Sequence, residues 1–578
     1  MSPTGKRGFK QRRWQGLAVA VAVAALLIPT AATQAAKPPG TPPGDVDVQL
    51  LAINDFHGNL KPPTGSSGFV GTTLAGGVEY LATHIKTLEA TNPDRTLEIA
   101  AGDLIGASPL ISAAFHDEPT IEAMNAVGLD ISAVGNHEFD EGVDELLRIQ
   151  NGGCHPVDGC QDGDGYDGAG FQYLAANVVY KDTGKPIFPA YKIRSLGGAK
   201  IGFIGLTLEG TPQIVSANGI QTVNFLDEAD TINAATQELK AKGVHTIVVL
   251  LHEGGAQSVG LSTTTINTCT NLSGAILDIV AHLDDEVDMV VSGHTHTAYN
   301  CLLPNASARP IPVSSGASFG RLVTDIDMTI DRASDQPTQI SVNNVVVTRT
   351  VAADPAETTL IAKYDTAIAP IANQIVGSIT TDITRTNNAA GESALGDVIG
   401  DAQLAYTQSA GSQFAFMNPG GIRADLVYSQ ISGGEAAGQV TYGEAFTVQP
   451  FNNLVVTQSL TGAQIKTALE QSFIGCLGRT QNTVILQVSA GISYAYDSTL
   501  ACGSRITAIN VNGNPIDPAT TYKVAMNNFL ADGGDSFPAF KGGTGRVYAP
   551  GFDVDALTAY LHDHAPVAPG PQNRITVP

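Results

Sequence analysis

The chain has few cations, few aromatic residues and almost no tryptophan. One Trp (Trp14) and six Met occur in 578 residues, and Lys plus Arg number 31 against 55 Asp plus Glu, a net charge of −24. That balance excludes a general binder of nucleic-acid polymers, whose phosphate backbones are held by Lys and Arg. It leaves room for a small anionic ligand captured at one local site. No Cys-x-x-Cys pair occurs, so a zinc-ribbon type of centre is not expected. No internal repeat is visible, and no apolar run beyond residue 28 is long enough to span a bilayer, which takes about 20 residues. What is present is an ordinary globular mixture, 43% hydrophobic and 15% charged. Its length points to roughly two to four domains.

The first 36 residues differ from the rest. Lys6, Arg7, Lys10, Arg12 and Arg13 precede an apolar run from Leu17 to Ile28 and a small-residue exit, Ala31 to Ala36. This order reads as a secretory signal peptide over residues 1–36. Its removal takes away five cations and no acid, moving the net charge to −29, and removes Trp14. The mature protein is then expected to be secreted or extracytoplasmic, at or beyond the cell envelope, with no transmembrane anchor. A Pro-rich leader, residues 37–45, has no core-forming residues. All six cysteines lie beyond it, and an even number after a signal peptide favours disulfides. Their positions suggest the sequential pairs 154/160, 269/301 and 476/502, although six cysteines allow fifteen connectivities.

From Val46 a pattern recurs: a short β-branched run, a polar cluster, then a helical stretch. The runs are Val48–Ile53, Leu97–Ala101, Ile131–Val134, Leu174–Val178, Ile201–Leu206, Thr246–Leu251 and Val287–Val291. Continuous Val/Ile/Leu runs of this length read as strands buried on both faces. Helical segments at Gly77–Glu89, Pro119–Val127, Ala229–Lys242 and Ala275–Leu283 complete an α/β layered domain over residues 46–350. Asp354-Pro355-Ala356-Glu357 starts a helical connector, 351–379, and a smaller mixed α/β domain fills 380–578. The Gly/Asp-rich stretch Gly152–Gly170 reads as a surface insertion; its Asp162-Gly163-Asp164-Gly165 is a weak likeness of a calcium loop.

The chemistry-bearing residues follow the strands. Asp55 and His57 come after the first, Asp103 after the second, Asn136-His137-Glu138-Phe139-Asp140 after the third, His252 after the sixth, and Gly293-His294-Thr295-His296 after the seventh. Loops beyond the carboxyl ends of strands are where sites form in such sheets. Seven ligand-type residues (Asp55, His57, Asp103, Asn136, His252, His294, His296) are the right number of donors for two divalent ions sharing a bridging carboxylate.

This ordered series, Asp-x-His, Gly-Asp, Gly-Asn-His-Glu, His, Gly-His-x-His, resembles the calcineurin-like metallophosphoesterases. With Phe139-Asp140 and the second domain, it is similar to the secreted bacterial 5′-nucleotidase family, which includes 2′,3′-cyclic-nucleotide phosphodiesterases. The resemblance covers nearly all of residues 46–578. It implies a four-layer α/β/β/α sandwich and two divalent ions, zinc, manganese or similar. Asp55, His57, Asp103 and His296 would hold one; Asp103, Asn136, His252 and His294 the other. Family members with Gln or Asn at the place of His296 exist, which bears on metal preference. His137 and Asp140 fall on the family's catalytic dyad: a hydroxide made nucleophilic by the metals attacks phosphorus, His137 assists at the phosphoryl group or leaving oxygen, and Asp140 orients it. Glu138 is read as a supporting residue.

In the second domain, Asn418-Pro419-Gly420-Gly421-Ile422-Arg423 matches the family's Asn-x-Gly-Gly-Ile-Arg signature. Arg423 would bind phosphate and Asn418 a base. Phe451, in Gln449-Pro450-Phe451-Asn452-Asn453, and Phe537, in Asp532-Gly533-Gly534-Asp535-Ser536-Phe537, would sandwich the nucleobase. Arg385 is a weaker candidate for a phosphate contact. Family members often carry an acid shortly after the second aromatic; here that stretch is Pro538 to Gly543, without one, so base and sugar preference is open. The implied activity is phosphate release from nucleoside 5′-phosphates. The alternatives are 2′,3′-cyclic-nucleotide phosphodiesterase, a nucleotide-sugar or dinucleotide hydrolase, and an inactive binding protein on the same scaffold.

Overall fold

The apolar runs of the first 350 residues become inner strands of two sheets, because a strand covered on both faces needs no polar alternation. The computed structural model describes residues 44–480 and 482–578; the expected signal peptide, and the leader up to residue 43, lie outside the described residues. One six-stranded sheet has the order Gln336–Val346, Leu322–Asp331, Asp45–Ile53, Thr96–Ala100, Ile131–Ala133, Gln172–Leu174. Its last four strands are parallel and its first two join antiparallel. The second has the order Ala298–Pro304, Pro310–Gly316, Val287–Ser292, Thr246–His252, Ala199–Thr207, Tyr191–Leu196. Its four central strands are parallel and both edges antiparallel.

The sheets pack face to face. Val48, Leu50, Ile99 and Ile131 of the first meet Phe203, Val248, Leu250 and Val291 of the second in one buried cluster. Helices Val78–Glu89 and Glu118–Val127 cover the outer face of the first sheet, packing Leu81, Ile85, Ile121 and Met124 with Leu51 and Ile53. Helices Glu228–Ala241 and Ile276–Ala281 cover the other, packing Ile232, Leu239 and Val280 with Val249 and Leu251. The layers therefore run α/β/β/α.

Two features depart from the sequence reading. The run Leu174–Val178 is divided: Gln172–Leu174 stays in the first sheet, while Val178–Tyr180 pairs with Val223–Phe225. The four strands between Ala298 and Val346 had no clear signal, because edge strands such as Gln336–Val346 keep exposed polar positions and lack a long apolar run.

The connector helix, Pro355–Ala372, starts where its capping residues place it. The Asp354 side chain accepts from the backbone N–H of Ala356 and Glu357, and Pro355 occupies the first turn. Beyond it, the sheet of Gln487–Val488, Phe414–Met417, Thr521–Asn527, Leu454–Thr461 and Thr544–Phe552 shares a core with a four-stranded sheet. The disulfides are Cys154–Cys160, Cys269–Cys301 and Cys476–Cys502. In the stapled insertion, Lys363 Nζ lies 2.8 Å from Asp162 and 3.2 Å from Asp164. The acids of the calcium-like stretch are thus occupied by an ammonium group, and tie the insertion to the connector helix. No helix among the described residues is long and apolar enough to cross a membrane.

Candidate active site

Each residue of the ligand series sits at or just past the carboxyl end of its strand, where the two sheets present the same edge. His252 is the last residue of Thr246–His252, and Asp55, Asp103, Asn136 and His294 follow their strands within four residues. The backbone there is held in an uncommon conformation. Asp55 (φ 51°), His57 (48°), Asp103 (52°), His294 (70°) and His296 (56°) all lie in the left-handed region, which costs non-glycine residues on the order of 1–3 kcal/mol each. Such a concentration of strain marks a place where side-chain direction matters more than local stability. The glycines beside these residues have a packing reason. A Cβ on Gly135 would sit 2.1 Å from Asp103 Oδ1, and one on Gly102 would sit 2.8 Å from His252 Nδ1.

The side chains converge. Asp55, His57 and His296 form one group of close donor atoms, and Asp103, His252 and His294 another. Asp103 Oδ2 lies 3.5 Å from His57 Nε2 and 2.9 Å from His252 Nε2, which places it between the two groups. Asn136 Oδ1 is 2.9 Å from His294 Nδ1. All seven residues of the series are therefore brought together.

The tautomers follow from the outer contacts. His57 Nδ1 donates to Gly106 O at 2.9 Å and His252 Nδ1 to Ala101 O at 2.7 Å. Each Nε2 then faces inward. His57 Nε2 faces His296 Nε2 at 3.0 Å. His252 Nε2 is buried 2.9 Å from Asp103 Oδ2. Imidazole nitrogens crowded against buried carboxylates form a donor set that a cation can take by displacing the protons between them. Burial lowers the imidazoles of His57, His296 and His294, the last to about 3, which keeps them in the neutral form that binds metals. At His252 burial also acts downward, but Asp103 outweighs it and holds the ring up at about 10. The chemistry of the donor set fits two divalent ions of the borderline type.

The loops that carry these donors are braced from behind. Glu138 accepts from the backbone N–H of Asp103 (2.9 Å), Leu104 (2.8 Å) and Gly135 (2.6 Å). The backbone N–H of His294 donates to both oxygens of Asp55 at 3.0 Å. That of His137 donates to Asp103 Oδ1 at 2.9 Å. His137 Nδ1 in turn donates to Asp140 Oδ2 at 2.9 Å, and its ring lies 5.0 Å from that of His57. Burial lowers the His137 imidazole, but Asp140 and Asp103 outweigh it, and the net shift is upward.

The second domain reaches this edge. Phe451 stacks on His137 with centroids 5.6 Å apart, and the Arg423 guanidinium lies 5.8 Å from the Phe451 centroid. Arg423 Nη2 is buried with no hydrogen-bond partner. A cavity of about 520 Å³ opens beside Arg423 and Phe319, lined also by Lys61 and Asp365; neither Phe451 nor Phe537 lines it. Phe537 is 0% exposed, packed in the domain core with the Arg479 guanidinium 4.6 Å from its ring centroid. The Asn418 side chain is engaged at both ends, donating to Asp535 at 2.8 Å and accepting from Asn527 at 2.9 Å. In this arrangement Phe451 and Arg423 face the cluster, while Phe537 and Asn418 present no open surface. Arg385 donates to Ser67 Oγ at 2.8 Å, a contact between the two domains, and also lies near Arg423.

Several residues around the site had no signal in the sequence. Phe319 packs its ring 5.9 Å from His57 and 5.3 Å from His296, closing one side of the cluster. Its chain position, between the strands Pro310–Gly316 and Leu322–Asp331, gave no hint of that neighbourhood. Asp535 was part of a recognised turn, but its hold on Asn418 depends on two distant loops.

The first domain matches calcineurin-like phosphoesterases over residues 48–298, and residues 368–542 match the 5′-nucleotidase C-terminal domain. The cell wall protein Lmo0130 of Listeria monocytogenes is 32% identical over 90% of this chain and 67% of its own length. Endonuclease YhcR of Bacillus subtilis is 30% identical over 85% of this chain, which spans only 37% of that protein. The crystal structure of a 5′-nucleotidase precursor from Thermus thermophilus superposes with a TM-score of 0.76 at 27% identity, covering 92% of this chain and 99% of that one. The fold and its donor cluster are those of a metallophosphoesterase. The chain belongs to the 5′-nucleotidase family of these hydrolases.

Proposed function

We propose that this chain is a secreted dimetal hydrolase that releases phosphate from nucleoside 5′-phosphates. The observation that carries the reading is the buried Arg423 Nη2, a donor without an acceptor, close to Asp55, Asp103 and Asp140 of the donor cluster. A guanidinium in that state is matched by an anion, and bidentate phosphate suits its fork. Asp55, His57, Asp103 and His296 would hold one divalent ion, and Asp103, Asn136, His252 and His294 the other. When bound, such ions supply charge at the phosphoryl oxygens and make hydroxide available near neutral pH.

The chain's own groups do the rest. Asp140 fixes the His137 ring by accepting from Nδ1, leaving Nε2 for the phosphoryl group or the departing ribose oxygen. Arg423 orients the phosphate. Phe451 supplies one stacking face; Phe537 would supply the other once the Asp532–Phe537 loop swings its ring out of the core of the second domain. Secretion is supported by three disulfides, which persist in oxidising surroundings, and by the basic, apolar, small-residue order of residues 1–36. Phosphate release from AMP, a UDP-sugar and 2′,3′-cyclic AMP, with and without Mn²⁺ or Zn²⁺, tests the reading. Metal-dependent turnover of AMP above the others is the expected result; no turnover of any with metal present would overturn it.

A further inference from the structure

A second convergence of imidazole and carboxylate lies outside the active site and shares no residue with it. His116 follows the short helix Leu110–Ala113, while His155 and Asp158 lie inside the loop closed by Cys154–Cys160. His116 Nε2 is 3.0 Å from Asp158 Oδ2, and His155 Nδ1 is 3.3 Å from the same oxygen. These edges are close to the roughly 3.3 Å ligand separation of a tetrahedral ion with bonds of about 2.0–2.1 Å. On its other side, His116 Nδ1 is 2.7 Å from Glu141 Oε2. A carboxylate behind an imidazole is the outer contact that metal-bound histidines use to fix tautomer and ring direction. The backbone at His116 (φ 52°) and Asp117 (φ 60°) is left-handed. It is held there by the Asp117 carboxylate, which accepts from Gly106 N at 2.9 Å and Ser112 Oγ at 2.6 Å.

We propose that His116, His155 and Asp158 form a further divalent-cation site of the zinc class, with Glu141 orienting His116. Two imidazoles and one carboxylate are the donor set that borderline ions take. The rings now stack with centroids 3.8 Å apart and 17° between planes, so a χ2 rotation of one of them is required to aim both lone pairs at one ion. The bound ion would join the stapled insertion to the turn that carries His116, whose ring is oriented by Glu141, the residue after Asp140.

The test counts zinc per chain in the full-length protein after loading and exhaustive dialysis, for the wild type and for His155→Ala and Asp158→Ala. Each variant is expected to hold one zinc fewer than the wild type, with AMP hydrolysis within about two-fold. Equal zinc counts in wild type and both variants would overturn the site, whatever the activity on AMP. Glu141→Gln keeps all three ligands. In a chelator competition it is expected to release the extra zinc about 10–100-fold more readily, and an unchanged affinity would remove Glu141 from the assignment.

Discussion

The donor-bearing edge of the first domain and the loops of the second domain that meet it are built differently. At the first, seven donors leave the strand ends, the tautomers of His57 and His252 are set by carbonyls of neighbouring loops, and five of the seven backbones are held in the left-handed region. The strands and loops that carry the donors fix their directions. At the second, Phe451 rests on His137, Phe537 is inside the core and Asn418 is bound to Asp535 and Asn527. A charge-stabilising site gains from preorganisation, since its groups then need no rearrangement during the reaction. A recognition surface on loops can instead be assembled when a ligand draws the domains together.

That contrast can be broken experimentally. The largest effect is expected from Asp103→Asn, which removes the carboxylate lying between the two donor groups. Phosphate release should fall by at least about 10³-fold, with metal content falling in parallel; normal metal content with normal turnover would contradict a preformed centre. His137→Ala should lower kcat by about 10²–10⁴-fold with little change in metal content. Arg423→Lys retains the charge but loses the fork, and a roughly 10-fold rise in KM is expected, because the orphaned Nη2 has no substitute. Phe451→Ala should weaken substrate binding by about 1–3 kcal/mol. If a Phe537→Ala variant matches it, the buried ring does come out to stack; if Phe537→Ala only lowers thermal stability, its role is in the core and the sandwich fails.

The smallest effect concerns the helix between the two regions. Glu357 is 0% exposed, and neither carboxyl oxygen has a hydrogen-bond partner. Burial, with Asp354 adding and Lys86 opposing, raises it from 4.5 to about 8. The unfolded chain therefore releases this proton at lower pH than the folded one, so stability declines as pH rises from 4.5 toward 8. Glu357→Gln should flatten that decline and raise stability above pH 8 by on the order of 1 kcal/mol. Parallel urea midpoints for the two proteins at pH 5 and pH 8.5 would contradict it.

Much of the first domain was legible because its inner strands are continuous apolar runs and its chemistry sits at their ends. Val48–Ile53 and Thr246–Leu251 announce both a buried strand and the place where Asp55 and His252 must emerge. The strands from Ala298 to Val346 were illegible, because the edge strands Ala298–Pro304 and Gln336–Val346 keep exposed positions and the two inner ones between them carry no continuous apolar run. In the second domain, the signature from Asn418 to Arg423 pointed to a turn and a candidate anion-binding residue, but said nothing of what Asn418 would hold. The same limit applied to Phe537: two aromatics in Gly-rich turns look alike whether a ring faces solvent or core.

Residue types, their order along the chain and their strand-end positions were therefore determined locally, by hydrophobic pattern and motif. The inward-facing Nε2 atoms of His57 and His252, the orphaned Nη2 of Arg423, Phe451 over His137, and His116 meeting a stapled loop about forty residues away were decided only by tertiary structure. Each depends on a contact between segments far apart in sequence, and a hydrogen-bond partner or ring face becomes defined only when packing brings that second segment into place.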